Sequence, residues 1–201
     1  MKRKFYQLAA ISMCALLAAC TSTKYQPVVY LEKQPVTSEW MSVKEAQLRE
    51  SIKGSQFTLH KQDNAWIVTA PAQNSFNPDR PNLLLPSALG PITRISKMLE
   101  ANPDTAVLIL GHSDLISSSK DGYTLSADRA RAVASIFRLS GLTNRRLTHL
   151  GLGDSHALPN QRSAAQNHRV EMVITPNTHM QDVAAVYRPA HARQLALGET
   201  R

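Results

Sequence analysis

Cysteine is nearly absent from this 201-residue chain, and both copies, Cys14 and Cys20, fall within its first twenty positions. The body therefore has no means of forming a disulfide or a thiolate metal site, and its stability must come from packing. Long hydrophobic runs are missing too. The one sustained apolar stretch, residues 5–17, falls short of the ~20 residues that a membrane-spanning helix needs. Neither a G-x-S-x-G elbow nor a phosphate-binding G-x-x-x-x-G-K loop occurs. The histidines (His60, His112, His149, His156, His168, His179 and His191) include no pair at the short spacing of a helical zinc motif. A hydrolase, a zinc enzyme and a cofactor-dependent enzyme are thus disfavoured, and a non-catalytic protein without metal or cofactor is expected. Lysine and arginine outnumber aspartate and glutamate by 23 to 15, but they are scattered singly rather than gathered with aromatics into a stripe. That pattern argues against nucleic acid and suits a weak attraction to an anionic surface or polymer.

The amino terminus follows a known layout. Met1 to Lys4 is basic, residues 5–17 are mostly apolar, and the small residues Ala18 and Ala19 precede Cys20. This is the pattern of an export signal over residues 1–19. The sequence Leu17-Ala18-Ala19-Cys20 resembles the lipobox of bacterial lipoproteins, which implies acylation of Cys20 by palmitate-like chains. Two or three such chains, at about 0.8 kcal/mol per buried methylene, anchor a protein stably. Thr21, rather than aspartate, follows the cysteine. By resemblance to enterobacterial sorting, this implies the outer membrane, with the rest of the chain facing the periplasm.

Beyond Cys20, residues 20–43 carry Ser, Thr, Gln, Lys, Pro27 and Pro35 without sustained periodicity and read as a flexible tether. Within it, Trp40 and Met41 are candidate docking side chains for a partner, although a lone aromatic in a linker is more often incidental. Residues 44–176 read as one folded domain. Two short runs, 57–60 and 65–70, are separated by Lys61-Gln62-Asp63-Asn64 and predict a hairpin. A proline-broken loop follows over 73–86. The spacing of Leu89, Ile92, Ile95, Met98 and Leu99 predicts a helix over 87–101, capped by Ser87 or opened by Gly90-Pro91. Residues 105–110 form a near-continuous apolar strand of the kind buried on both faces. A second helix is expected from Ser126, burying Ala130, Val133, Ala134 and Phe137 and ending at Gly141. Residues 147–152 and 170–174 read as two more strands. Alternation of strands and helices predicts an α/β (α+β) sandwich with helices packed on a mixed sheet. The tail, 177–201, allows one short amphipathic helix through Met180, Val183, Val186 and Tyr187.

Four fragments invite a comparison: Gly111-His112-Ser113-Asp114; Leu125-Ser126-Ala127-Asp128-Arg129-Ala130; Gly151-Leu152-Gly153; and Asn167-His168-Arg169-Val170-Glu171. In order and spacing they resemble the signature of the OmpA-like family over about 48–175, a family that includes Pal-type lipoproteins. The resemblance implies a βαβαβ core and binding of peptidoglycan through the meso-diaminopimelate of its stem peptide. The binding residues it implies are Asp114 and Arg129, joined by Ser113, Asn167 and Arg169. The chemistry is sensible by itself: the ligand's free centre carries an ammonium, which a carboxylate accepts, beside a carboxylate, which a guanidinium clamps with two parallel bonds. With a helix starting at Ser126, Arg129 would also lie in a first turn that favours a bound anion. An ion pair between Asp114 and Arg129 without a ligand is the structural alternative. The chain departs from the family's pattern at Ser117, Gly122, Ala164 and His168, which lowers the expected affinity. Two functions result: a lipoprotein tethering the outer membrane to the wall, or a structural subunit of an envelope machine, such as a type IV-like secretion outer-membrane complex or a flagellar motor.

Overall fold

The computed structural model describes residues 35–114, 119–158 and 165–199. The export signal, Cys20, residues 21–34, Ser117 and Ala164 lie outside the described residues. The elements run α1 (Ser38–Ile52), β1 (Thr58–Gln62), β2 (Ala65–Pro71), α2 (Ala72–Ser75), α3 (Pro86–Glu100), β3 (Thr105–His112), α4 (Ser119–Leu139), β4 (Leu147–Gly151), β5 (Arg169–Pro176) and α5 (Met180–Glu199). The strands form one mixed sheet in the order β1-β2-β5-β3-β4. Only β3 and β4 are parallel, as the crossover through α4 requires. β5 enters between β2 and β3, antiparallel to both.

Alternation along the strands divides the interior into two layers. Val107 and Ile109 of β3, with Val170, Met172 and Ile174 of β5, face a core built with α1, α3 and α4. Ala106, Leu108 and Leu110, with Val173, face a second core closed by Met180, Ala184 and Ala190 of α5. The two-sided burial expected for residues 105–110 therefore has its partner in the tail. α5 covers the back of the sheet over 20 residues rather than forming one short helix.

The stretch expected as tether ends earlier than residue 43. The Thr37 side chain accepts a hydrogen bond from the Trp40 amide and caps α1, whose Met41 and Leu48 are buried in the first core. The Trp66 indole donates to the Met41 carbonyl at 2.8 Å, and the Trp40 indole donates to Asp104 at 2.8 Å. Apolar patterning hides this helix, because the contacts that bury it come from distant segments. The hairpin turn narrows to Asp63-Asn64, with Asp63 at φ 48° in the left-handed region that a tight two-residue turn demands. α3 opens with Pro86 at its first position, and Leu85, not Ser87 or Gly90, occupies the cap position.

The largest correction concerns α4. It starts at Ser119, a full two turns before Ser126. Ser126 is an interior residue: its hydroxyl donates to the Tyr123 carbonyl at 2.7 Å and accepts from the Gly153 amide at 3.0 Å. The glycines of the motifs explain how closely α4 lies on the sheet. A Cβ at Gly111 would stand 1.9 Å from the Ser126 carbonyl oxygen, and one at Gly151 would stand 2.7 Å from the Ala127 Cβ. Both positions exclude any side chain, because backbone cannot move aside as a flexible side-chain tip can. Gly111→Ala is expected to lower stability by on the order of 3 kcal/mol or more, or to prevent folding, as read from the urea midpoint.

Candidate functional site

Arg129 projects from the middle of α4 and is only 7% exposed. Its guanidinium is held from two sides. Nε donates to the Pro81 carbonyl at 2.7 Å, and the Phe76 ring lies under the carbon of the guanidinium at 5.3 Å. Both partners belong to the proline-broken segment between β2 and α3. That segment is shaped by α2, by the Phe76–Leu84 bridge, and by the Asn77 side chain, which accepts from the Asp79 and Arg80 amides. Burial pulls the Arg129 pKa down to about 10, so the group stays cationic at neutral pH. Its Nη1 is buried without a hydrogen-bond partner. A buried cation with unused donors is costly in a finished interior and ordinary in a binding site. Arg129 lines a cavity of about 310 Å³ together with Phe76, Asn77, Pro81 and His168.

Asp114 follows β3 and is 8% exposed. Its carboxylate lies 3.1 Å from His168 Nε2, and His168 lines the Arg129 cavity. Asp114 itself is not among the residues lining that cavity; His168 is the residue that both contacts Asp114 and lines it. Neighbouring Ser113 is pinned by its amide to the Gly153 carbonyl at 2.8 Å, while its buried hydroxyl has no partner. Asn167 is fully buried, and its side-chain oxygen accepts from the Leu158 amide at 2.9 Å, which fixes the loop before β5. Arg169 is not among the residues lining the Arg129 cavity. It stands on the α5 face of β5, where Nε donates to Glu171 at 2.7 Å and Nη2 to the His156 carbonyl at 3.2 Å.

Arg129 does not lie in a first helical turn. With α4 beginning at Ser119, Arg129 sits in the helix interior, where every backbone amide already has a partner and the dipole offers an anion nothing. Anion binding there rests on the guanidinium alone. Phe76 and Pro81 are site residues that no sequence pattern marked, and His168 was marked only as a departure from the family's pattern. The first two sit in a loop whose approach to α4 no local pattern reveals. His168 stands where the family's pattern has arginine, and that departure was the available signal; its contact with Asp114 emerges only in the fold.

The fragments Gly111-His112-Ser113-Asp114 and Asn167-His168-Arg169-Val170-Glu171 meet through register, since His112 pairs with Arg169 and Leu110 with Glu171 across the sheet. His112 Nε2 lies 3.1 Å from Glu171, completing a buried His112–Glu171–Arg169 chain. Despite its burial, Glu171 is held down to about 2 by His112 and Arg169, which favour its charged form. Burial lowers the His112 pKa below its usual 6.5 and keeps the ring neutral. Among the described residues, no group of three or more His, Cys, Asp or Glu side chains converges on a metal position.

The α/β sandwich thus carries a sequestered, partly unpaired guanidinium beside a cavity of about 310 Å³. Residues 75–171 match the OmpA family, and the chain carries an OmpA-like domain. It is 29% identical over 140 residues to the probable lipoprotein YiaD of Escherichia coli, covering 68% of this chain and 64% of YiaD. It is 34% identical over 96 residues to the peptidoglycan-binding protein ArfA of Mycobacterium tuberculosis, covering 45% of this chain and 29% of ArfA. The chain therefore spans less than two thirds of the length of either relative. Among solved structures, a putative MotB-like protein from Desulfovibrio vulgaris superposes with a TM-score of 0.59 at 23% identity, over 69% of this chain and 95% of that one. The cell wall anchor of the type VI secretion system from Pseudomonas aeruginosa gives 0.54 at 24% identity, over 65% and 95%. These two likenesses establish the shared fold.

Acid should destabilise the domain in two stages. His112 is neutral when folded and free to take a proton when unfolded, so stability falls as pH drops below about 6.5. Glu171 has a depressed pKa in the folded state, so its contribution is complete above about 4.5 and disappears as pH falls toward about 2. Urea midpoints measured from pH 7 to 3 are expected to decline throughout, and Glu171→Gln should flatten the lower stage.

Proposed function

We propose that this chain is a non-catalytic peptidoglycan-binding lipoprotein, anchored in the outer membrane through Cys20 and gripping the diaminopimelate of the stem peptide with Asp114 and Arg129. The carrying observation is Arg129: a buried guanidinium, oriented by Pro81 and Phe76, with Nη1 unpartnered at the edge of a cavity of about 310 Å³. Its planar fork matches a carboxylate. The Asp114 carboxylate, beside His168, accepts the neighbouring ammonium and so selects a zwitterionic centre over a simple acid. The peptidoglycan binding named for ArfA and the lipoprotein character named for YiaD support the same reading. Among the described residues no helix is long and apolar enough to cross a membrane.

A second reading, a structural subunit of an envelope machine, is favoured by α5, which leaves Val186 67% and Leu195 44% exposed. The two roles are compatible, since a machine attached to the wall needs both.

Binding of the full-length protein to purified sacculi tests the first reading. Asp114→Ala and Arg129→Ala are each expected to weaken retention by roughly tenfold or more, through loss of a charge-assisted hydrogen bond. Unchanged retention in both folded variants would remove the site assignment. Co-purification of a large membrane complex that persists in both variants would instead support the machine role. Cys20→Ser is expected to release the protein from the outer-membrane fraction, and continued fractionation there would refute the lipid anchor.

A further inference from the structure

A second and larger cavity, of about 620 Å³, opens on the opposite face of the sheet, between the β1–β2 hairpin and α5. It falls within the ~300–1,000 Å³ range of small-molecule sites. Its floor is the His112–Glu171–Arg169 chain and one wall is Tyr187 of α5, whose ring lies 5.3 Å from that of His156. Gln73 and Ala165 line this cavity and the Arg129 cavity alike, so the two adjoin across a shared lip.

The unused hydrogen-bonding capacity of the floor defines the ligand chemistry. Arg169 Nη1 is a buried donor without a partner. His112, with its Nε2–H given to Glu171, presents Nδ1 as a buried acceptor that also lacks one. A donor and an acceptor on residues paired across the strands, Arg169 and His112, match a hydroxyl or an acetamide, which offers both. The charges cancel as well. Arg169 and Glu171 neutralise one another, and burial keeps His112 and His156 in their neutral forms, so nothing here selects an ion. An aromatic ring beside planar polar groups suits a pyranose, which has an apolar C–H face and a rim of hydroxyls.

We propose that this cavity is a saccharide subsite, taking an uncharged amino-sugar ring of the glycan whose stem peptide occupies the Arg129 cavity. The proposal rests on the wall-binding reading and extends it from the peptide to the sugar. The shared lip at Gln73 and Ala165 is where a glycan and its attached peptide would cross from one cavity to the other.

The test is an NMR titration of the full-length protein in detergent with chitotetraose, an N-acetylglucosamine tetramer that carries no peptide, and separately with free meso-diaminopimelate. Chitotetraose is expected to shift the Gln73 and Gln166 side-chain amides and the Tyr187 ring while leaving Arg129 unmoved. Tyr187→Ala and Gln166→Ala, the latter exposed and harmless to packing, should each weaken chitotetraose binding by roughly tenfold. Arg129→Ala should abolish the diaminopimelate response and leave the chitotetraose response intact. A wild-type protein that responds to chitotetraose but not to diaminopimelate would refute the stem-peptide clamp and support the subsite. Absence of any chitotetraose response at millimolar concentration, or equal binding by wild type and both subsite variants, would overturn the proposal.

Discussion

The close seating of α4 on the ends of β3 and β4 is the constraint from which the rest of the structure follows. At Gly111 and Gly151 the helix backbone occupies the space a side chain would need, and the Ser126 hydroxyl ties the helix to the Gly151-Leu152-Gly153 turn. This contact holds Arg129 at a fixed height above the sheet, within reach of Pro81 and Phe76. Were the helix to ride higher, Arg129 would point to water and lose the orientation that makes a guanidinium selective. The motif glycines therefore act at a distance from any ligand, through backbone approach.

The two faces of the sheet divide the polar residues as strictly as the apolar ones. On β5, Val170, Met172 and Ile174 turn toward α1, α3 and α4, while Arg169 and Glu171 turn toward α5. The adjacent motif letters His168 and Arg169 consequently serve different cavities. Treating the late motif as a single ligand-binding unit obscures this, because neighbours along a strand point in opposite directions. The buried His112–Glu171–Arg169 chain links the first and last motifs across the sheet and explains why each contains a titratable residue in a nearly dry place.

Much of the fold was legible in the residues. The hairpin, the apolar strand at residues 105–110, the stripe of Ile92, Ile95 and Leu99, and the left-handed Gly141 at the end of α4 all carry local signals, and the structure has each of them. The misjudged boundaries were those set by distant partners. α1 exists because Trp66 and Asp104 receive it, and α5 extends because the back of the sheet needs cover. The start of α4 was misplaced because Gly122 and the polar Ser119-Lys120-Asp121 hide the first two turns, while Ser126 mimics a cap.

By itself, the sequence determined the alternation of strands and helices from β1 to β5, an aspartate after β3 and an arginine in the helix that follows, and a terminal pattern that resembles a lipobox. These depend on residue type and spacing along the chain, which are local properties. Only the tertiary structure decided that His168 contacts Asp114 and lines the Arg129 cavity, that Phe76 and Pro81 aim the guanidinium, and that Arg169 faces the other side of the sheet. Those outcomes depend on which remote segments come into contact, and contact across the fold is set by packing around a shared core rather than by the order of residues.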